Sequence, residues 1–423
     1  MLTAGLGALA AIPLAAKVLF PRLTARFGRP HHGEAPGGTR LKLERQDAEP
    51  SHSDAGVGYS LAEMTDIAER LLRDIGLVDG FAPLVLVLGH GSHSMNNPHE
   101  SAHDCGACGG AVGGPNGRAV AQMLNDPRVR AGLAGRGIAV PEDTAFVGGL
   151  HNTCNEYVTF PDADRVPPSH AGVLATVTAA LEEVLDRNSH ERARRFHSAP
   201  LAISNAAARH HMDARAEDLA QVRPEWGHAT NALCVVGRRQ RTRGLFLDRR
   251  AFLNSYDPTR DDADGTILAR ILGAAVPVCG GINLEYYFCH VDNPGYGCGT
   301  KLPHNVTALL GVMDGAASDL RTGLPWQMVE IHEPVRLLFV VETTPAVMAG
   351  IMDRNPLIGT MVRNGWVQMS VLDPHSDGIQ VYRDGAFHPY QPAAGSLPVA
   401  TCSADWYRGW RDHLDFAEIR PGA

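Results

Sequence analysis

LVLVLGHGSHSMNNPHESAHDCGACGG, residues 84 to 110, decides the fold. Leu84 to Leu88 is an unbroken apolar run, the pattern of a strand buried on both faces of a parallel sheet. A polar loop rich in His, Cys and Gly follows at once. In open α/β sheets ligand and catalytic groups gather at the carboxyl ends of strands, so chemistry is expected in this loop. Working outward, SLAEMTDIAERLLRDIGL (60 to 77) has apolar residues at helical spacing. Ser60 is its N-cap, and Glu63 three positions on completes a capping box. Beyond the loop, a helix is expected from about Asn116 to Leu133, then a short strand at Thr144 to Val147 leading into GGLHNTCNE. Leu174 to Ala208 reads as one long helix or two, with a solvated face of Glu, Arg and His. Ala232 to Val236, Ala274 to Val278 and Leu337 to Val341 are further strand candidates. The recurring order of strand, polar loop and helix predicts an α/β protein, with a mostly parallel central sheet flanked by helices. No internal repeat is present.

Composition narrows the function. The 423 residues carry 38 Lys+Arg against 46 Asp+Glu, a net charge of −8, which argues against a nucleic-acid-binding protein. Hydrophobic content of 44% suits a soluble globular chain with a large core, and 45 Gly with 28 Pro exclude a coiled coil or helical solenoid. Eight cysteines in so long a chain do not read as a disulfide framework; Cys105 and Cys108 form a C-x-x-C inside a His-rich stretch, which fits metal chemistry in a reducing compartment. Leu2 to Phe20 is nearly uncharged, but Gly5, Gly7, Pro13 and Lys17 interrupt it. A buried or interfacial helix is expected there ahead of a membrane anchor, and a signal peptide last because no positive charge precedes the run; no later run is expected to be long enough to span a bilayer. Residues 28 to 58 read as a flexible connection. The chain thus divides into 1–58, a zinc-site α/β region at 59–170, and a helical and α/β region at 171–423.

His90 leaves the end of the first strand and Cys105 lies fifteen positions later. Imidazole and thiolate together suit Zn²⁺, which takes tetrahedral N/S ligands. Asn96, Asn97 and Asp104 are candidates to orient ligands, and Cys108, His93, His99, His103, His151 and Cys154 are further ligand candidates. A structural role, with histidines capping loops and thiols buried, is the alternative.

With GHGSHSMNNPHESAHDCGACGG stand RPEWGHATNALCVV, TRGLFLDRRAFLNSYDP, INLEYYF, VDNPGYGCGTKLPHNVTALLGVMDGAASDLRTGLPWQ and HEPVRLLFVVE. Together they resemble the DabA family, the soluble subunit of a prokaryotic inorganic-carbon accumulation system, from the first helix to about residue 345. The resemblance implies a β-carbonic-anhydrase-like zinc core that interconverts CO2 and bicarbonate at the cytoplasmic face of the membrane. It also implies a membrane partner, DabB, similar to cation-transporting antiporter subunits. In the family two Cys, one His and one Asp hold the zinc; the His and second Cys fall on His90 and Cys105. The first Cys and the Asp belong to a Cys-x-Asp-x-Arg motif on an earlier strand, which this sequence lacks. The chain is therefore expected to resemble the carboxyl-terminal portion of a longer protein with an incomplete core. Its missing half should leave an open sheet edge, and another polypeptide would complete the site, unless the chain is truncated or has lost the activity.

Other clusters carry weaker readings. His151, Cys154 and Glu156 either line the same cleft or are satisfied loop groups. Asp292, Asn293, Tyr296, Lys301 and His304 shape the site or are turn chemistry; Ser318, Asp319 and Arg321 form a charged turn; Trp226 and Trp326 anchor packing; His211, Asp213 and Arg215 are solvated. Ser92 is no hydrolase nucleophile, because the chain has no G-x-S-x-G elbow.

Overall fold

The computed structural model of the chain describes residues 2–20, 23–24, 39–45, 58–96, 104–219, 221–222, 225, 227–300, 312–313, 320–321, 323–393 and 395–422. The expected flexible connection falls largely outside them, as do Asn97, His99, His103, Trp226, Lys301, His304, Ser318 and Asp319.

The first helix, α1 (Leu2–Leu19), exposes Leu9, Ile12, Val18 and Leu19. In α2 (Leu61–Asp74) the capping box forms as the sequence predicts: Glu63 N donates to Ser60 Oγ at 3.3 Å, and Ser60 N donates to Glu63 Oε2 at 2.7 Å. The apolar run continues through the following Gly-His-Gly as β1 (Leu84–Gly91), which pairs in parallel with β2 (Ala145–Asn152). A short β3 (Val158–Thr159) pairs antiparallel with β2, so β1 is an edge of this three-stranded sheet. The single helix expected over 116–133 is instead two, α3 (Gly114–Asn125) and α4 (Pro127–Gly135). Pro127 disfavours helical backbone at Asp126, and Asp126 then turns outward to cap α4 through Arg128 N. Helix α3 lies directly against the strands: a Cβ at Gly148 would sit 2.4 Å from Arg118 Cα, and one at Gly117 would sit 2.7 Å from Val87 O. Met64, Ala68, Leu72, Leu124, Leu133, Ile138 and Phe146 form the core beneath.

Leu174 to Ala208 resolves into α5 (Ala171–Ala193) and α6 (Asn205–Ala216), the latter capped by Ser204. The strands then divide between sheets rather than joining one central sheet. They are β4 (Leu233–Gly237), β5 (Leu245–Phe246), β6 (Ala251–Ser255), β7 (Val312–Met313), β8 (Leu320–Arg321), β9 (Leu338–Glu342) and β10 (Gln368–Leu372). After these come β11 (Ile379–Arg383), β12 (Ala386–Pro389), β13 (Val399–Ala400) and β14 (Ala417–Ile419). The largest sheet has the order β12-β11-β10-β9-β4-β6, parallel from β6 to β10 and antiparallel beyond. The order β13-β14-β5 forms a second small sheet, and β7 and β8 a two-stranded one.

Two expectations are corrected by α7 (Thr266–Val291). Ala274 to Val278 is not a strand but part of this helix. A short apolar run cannot be told from a buried helical segment by its own pattern, and here Leu268, Leu272, Val276 and Cys279 continue it at helical spacing onto the large sheet. The helix is also long and apolar enough to cross a bilayer by length and composition, contrary to the expectation that no later run is; 44% of its most apolar window is buried. It packs on Phe339, Val341, Met369 and Val371, with α8 (Pro345–Arg354) and α9 (Pro356–Arg363) closing the same core.

Candidate functional site at the ends of strands β1 and β2

Parallel pairing puts His90 opposite His151, and Gly91 opposite Asn152, at the carboxyl ends of β1 and β2. Residues paired in this way share a face of the sheet, so the two imidazoles are neighbours there. His90 is exposed, and its carbonyl accepts from Gly113 N at 2.7 Å. Cys105 begins a tight turn: Cys108 N and Gly110 N donate to Cys105 O, and Cys105 N donates to Ala111 O. The turn is tied back to β1 through Asp104, whose Oδ1 accepts from Ser92 N at 2.8 Å. Cys105 and Cys108 are half-buried neighbours; burial, with the hydrogen bond between the two thiols, pushes the Cys108 thiol up from its ordinary range, opposed by Asn116 Nδ2 at 3.1 Å from its sulfur.

The other predicted positions take different places. Asn96 is buried, and its carboxamide donates to the carbonyls of Arg215, Asp218 and Gln221, so it holds the tail of α6 to the loop. His151 Nε2 lies 2.6 Å from Glu156 Oε2. Glu156 occupies left-handed backbone with φ 67°, uncommon for a residue with a side chain. Its other oxygen faces Arg192 Nε at 3.5 Å and an Arg249 nitrogen at 3.6 Å. Burial raises the Glu156 carboxyl pKa, but Arg192, the His151 hydrogen bond and Arg249 outweigh it and hold the value down at about 2. Cys154 is buried beside Ser92 Oγ at 3.2 Å.

Sequence reading missed the residues that brace this end of the sheet. Glu225 Oε2 accepts from Ser92 Oγ at 2.7 Å and Thr153 Oγ1 at 2.8 Å, joining the loops after β1 and β2. Arg192 donates to the carbonyls of Thr153 and Cys154 at 3.0 and 2.8 Å. The solvated face expected for 174–208 forms along most of α5, where Glu182, Glu183 and Arg187 are exposed, but is corrected over its last turns: Arg192, Arg194 and His190 are buried, because that end of α5 runs through the body and finds acceptors there. Of His211, Asp213 and Arg215, expected to be solvated, Arg215 is buried with its guanidinium 3.7 Å from the Phe196 ring centre, while His211, packed on the same ring, and Asp213 are half-buried. Trp326, expected as a packing anchor, is half exposed.

The donor types at the strand ends, two imidazoles and two thiols, are those Zn²⁺ takes. Among the described residues, however, no group of three or more His, Cys, Asp or Glu is arranged to hold a metal. His90 and the Cys105–Cys108 turn therefore fit the ion in chemistry but do not by themselves complete its coordination.

The architecture defines a mixed α/β protein with two imidazoles, a thiol pair and an arginine-braced carboxylate at the ends of two parallel strands. The family model described as "Probable inorganic carbon transporter subunit DabA" matches residues 1–367, and the chain belongs to that family. It is 54% identical over 416 residues to "Probable inorganic carbon transporter subunit DabA 2" of Rhodopirellula baltica, covering 98% of this chain and 39% of that protein. It is 51% identical to a protein of the same name from Sorangium cellulosum, over 99% of this chain and 41% of that one. With "Probable inorganic carbon transporter subunit DabA" of a Parafrankia species it shares 47% identity over 96% of this chain and 39% of the relative. The chain thus spans about two fifths of the length of these relatives. No solved structure matches.

Proposed function

We propose that this chain is the zinc-binding portion of an inorganic-carbon uptake complex, acting on CO2 and bicarbonate at the cytoplasmic face of the membrane beside a DabB-type antiporter-like subunit. The observation that carries the reading is the fold-back of the Cys105–Cys108 turn onto the end of β1, where His90 stands exposed. His90 and Cys105 would hold the ion, and β1, an edge strand, is the side from which a further segment would bring the remaining ligands into a β-carbonic-anhydrase-like core. Zinc bound there supplies Lewis acidity that makes water nucleophilic near neutral pH. The chain's own residues do the positioning. Asp104 ties the thiol turn to Ser92 N, and the Glu156 carboxylate, kept ionised by two guanidiniums, fixes His151 beside His90.

In the assembled complex, His90→Ala or Cys105→Ala should abolish carbon uptake; uptake that persists in either variant removes that residue from the ligand set. A full equivalent of zinc held by the isolated chain and lost on Cys105→Ala would count against a site shared with another segment. A second reading, a non-catalytic structural module of the same complex, is favoured by the finding that among the described residues no three His, Cys, Asp or Glu are arranged to hold a metal. It predicts that both variants leave uptake unchanged while removal of the whole chain abolishes it.

A further inference from the structure

Away from the strand ends, two histidines meet between α7 and the segment that follows Trp326. His290, in the last turn of α7, places Nδ1 2.8 Å from the carbonyl of Val329. His332 places its own Nδ1 2.8 Å from the carbonyl of Ala229. A carbonyl only accepts, so each Nδ1 donates, and in a neutral ring so held the Nε2 is the lone pair. The ring centres are 5.9 Å apart with the planes at 61°. His332 is 3% exposed, and its Nε2 is buried without a hydrogen-bond partner.

An orphaned buried acceptor is costly, so a site that leaves one in place invites a ligand for it. An Nδ1–H given to a main-chain carbonyl is also how metal-bound histidines fix their tautomer and ring orientation. The spacing agrees: with Zn–N bonds of about 2.0 to 2.1 Å, two imidazoles on one ion hold their ring centres roughly 5 to 6 Å apart. The structure assigns to His290 and His332 a two-imidazole site for a borderline divalent metal, Zn²⁺ or Co²⁺, with solvent in the remaining positions. Such an ion would pin the end of α7 to the chain around Val329 and Ala229, in a region separate from the thiol turn.

The test is Co²⁺ titration of the full chain carrying Cys105→Ala and Cys108→Ala, read by the absorption spectrum and by bound metal per chain. The expected result is one Co²⁺ with nitrogen and oxygen ligation and no thiolate charge-transfer band, its affinity falling at least tenfold with H290Q. His290 is only half-buried, so H290Q tests the site even where H332Q fails to fold. Thermal melts should agree, with excess Zn²⁺ raising Tm in the double-alanine chain and losing that effect with H290Q. No thiolate-free Co²⁺, or a thiolate-free Co²⁺ unaffected by H290Q, overturns the assignment.

Discussion

The two parallel-stranded sheets end in opposite ways. In the six-stranded sheet the strand order reverses between β4 and β9, the position where α/β sheets usually open a binding crevice. Here that position is shut. Glu342, buried at the end of β9, accepts from Arg238 N at 2.8 Å, Arg238 Nε at 2.9 Å and Arg241 Nε at 2.8 Å, and the same arginines reach the carbonyls of Pro374 and Asp373. In the three-stranded sheet the corresponding ends are braced from behind yet leave ligand-type side chains toward the surface. His90 is exposed and the thiols are half-buried, while β1 keeps its apolar run only partly covered although its partner β2 is buried over six consecutive residues. Both ends carry buried ion pairs, but in the larger sheet they lock the switch point, whereas in the smaller one they sit behind an exposed His90 and, among the described residues, a β1 edge with no strand paired to it.

The largest test of this contrast is packing. Phe339→Ala, at a fully buried position of β9, should cost about 3 to 5 kcal/mol in urea denaturation, whereas Leu88→Ala, 39% exposed on β1, should cost less than about 1 kcal/mol. Equal costs would show that β1 is already covered. Next comes the lock itself. Glu342→Gln should destabilise by about 2 kcal/mol, because two guanidiniums lose their carboxylate, and most of that loss should vanish in an Arg238→Ala, Arg241→Ala background. A similar loss in that background would mean the glutamate acts by packing.

Acid should probe the end of the smaller sheet more gently. The Glu156 carboxyl titrates at about 2 in the folded chain against 4.5 ordinarily, so its contribution is fully present above pH 4.5 and drains away as pH falls toward 2. The Tm difference between the native chain and Glu156→Gln should shrink over that window, and a difference independent of pH would contradict the ion-pair account. The smallest effect is in thiol chemistry: with its thiol pushed up by burial and by Cys105, Cys108 should be alkylated at pH 8 more slowly than the same thiol in the unfolded chain. Peptide mass mapping reads this directly, and equal rates would remove the thiol contact.

What the sequence made legible was local. The α2 capping box, the β1 run and the strands near 233 and 338 each declare themselves within a few residues, by a cap, a Gly or an apolar stretch of strand length. The helix over Ala274 to Val278 did not, because five apolar residues fit either element and only packing on Phe339 and Val341 decides. In the candidate site, His90, Cys105 and Cys108 were legible from residue type and spacing. Glu225 and Arg192 were not, since each meets its partners across tens of residues of chain, and a guanidinium in a helix looks the same in sequence whether it faces water or a buried carbonyl.

Glu225 receives one hydroxyl from each of the two strand-end loops, so three distant stretches of chain share a single clasp. They should loosen together. Amides near Ser92, Thr153 and Glu225 would then exchange with deuterated solvent in step, and anything that draws the first loop toward a ligand would tug the third stretch along with it.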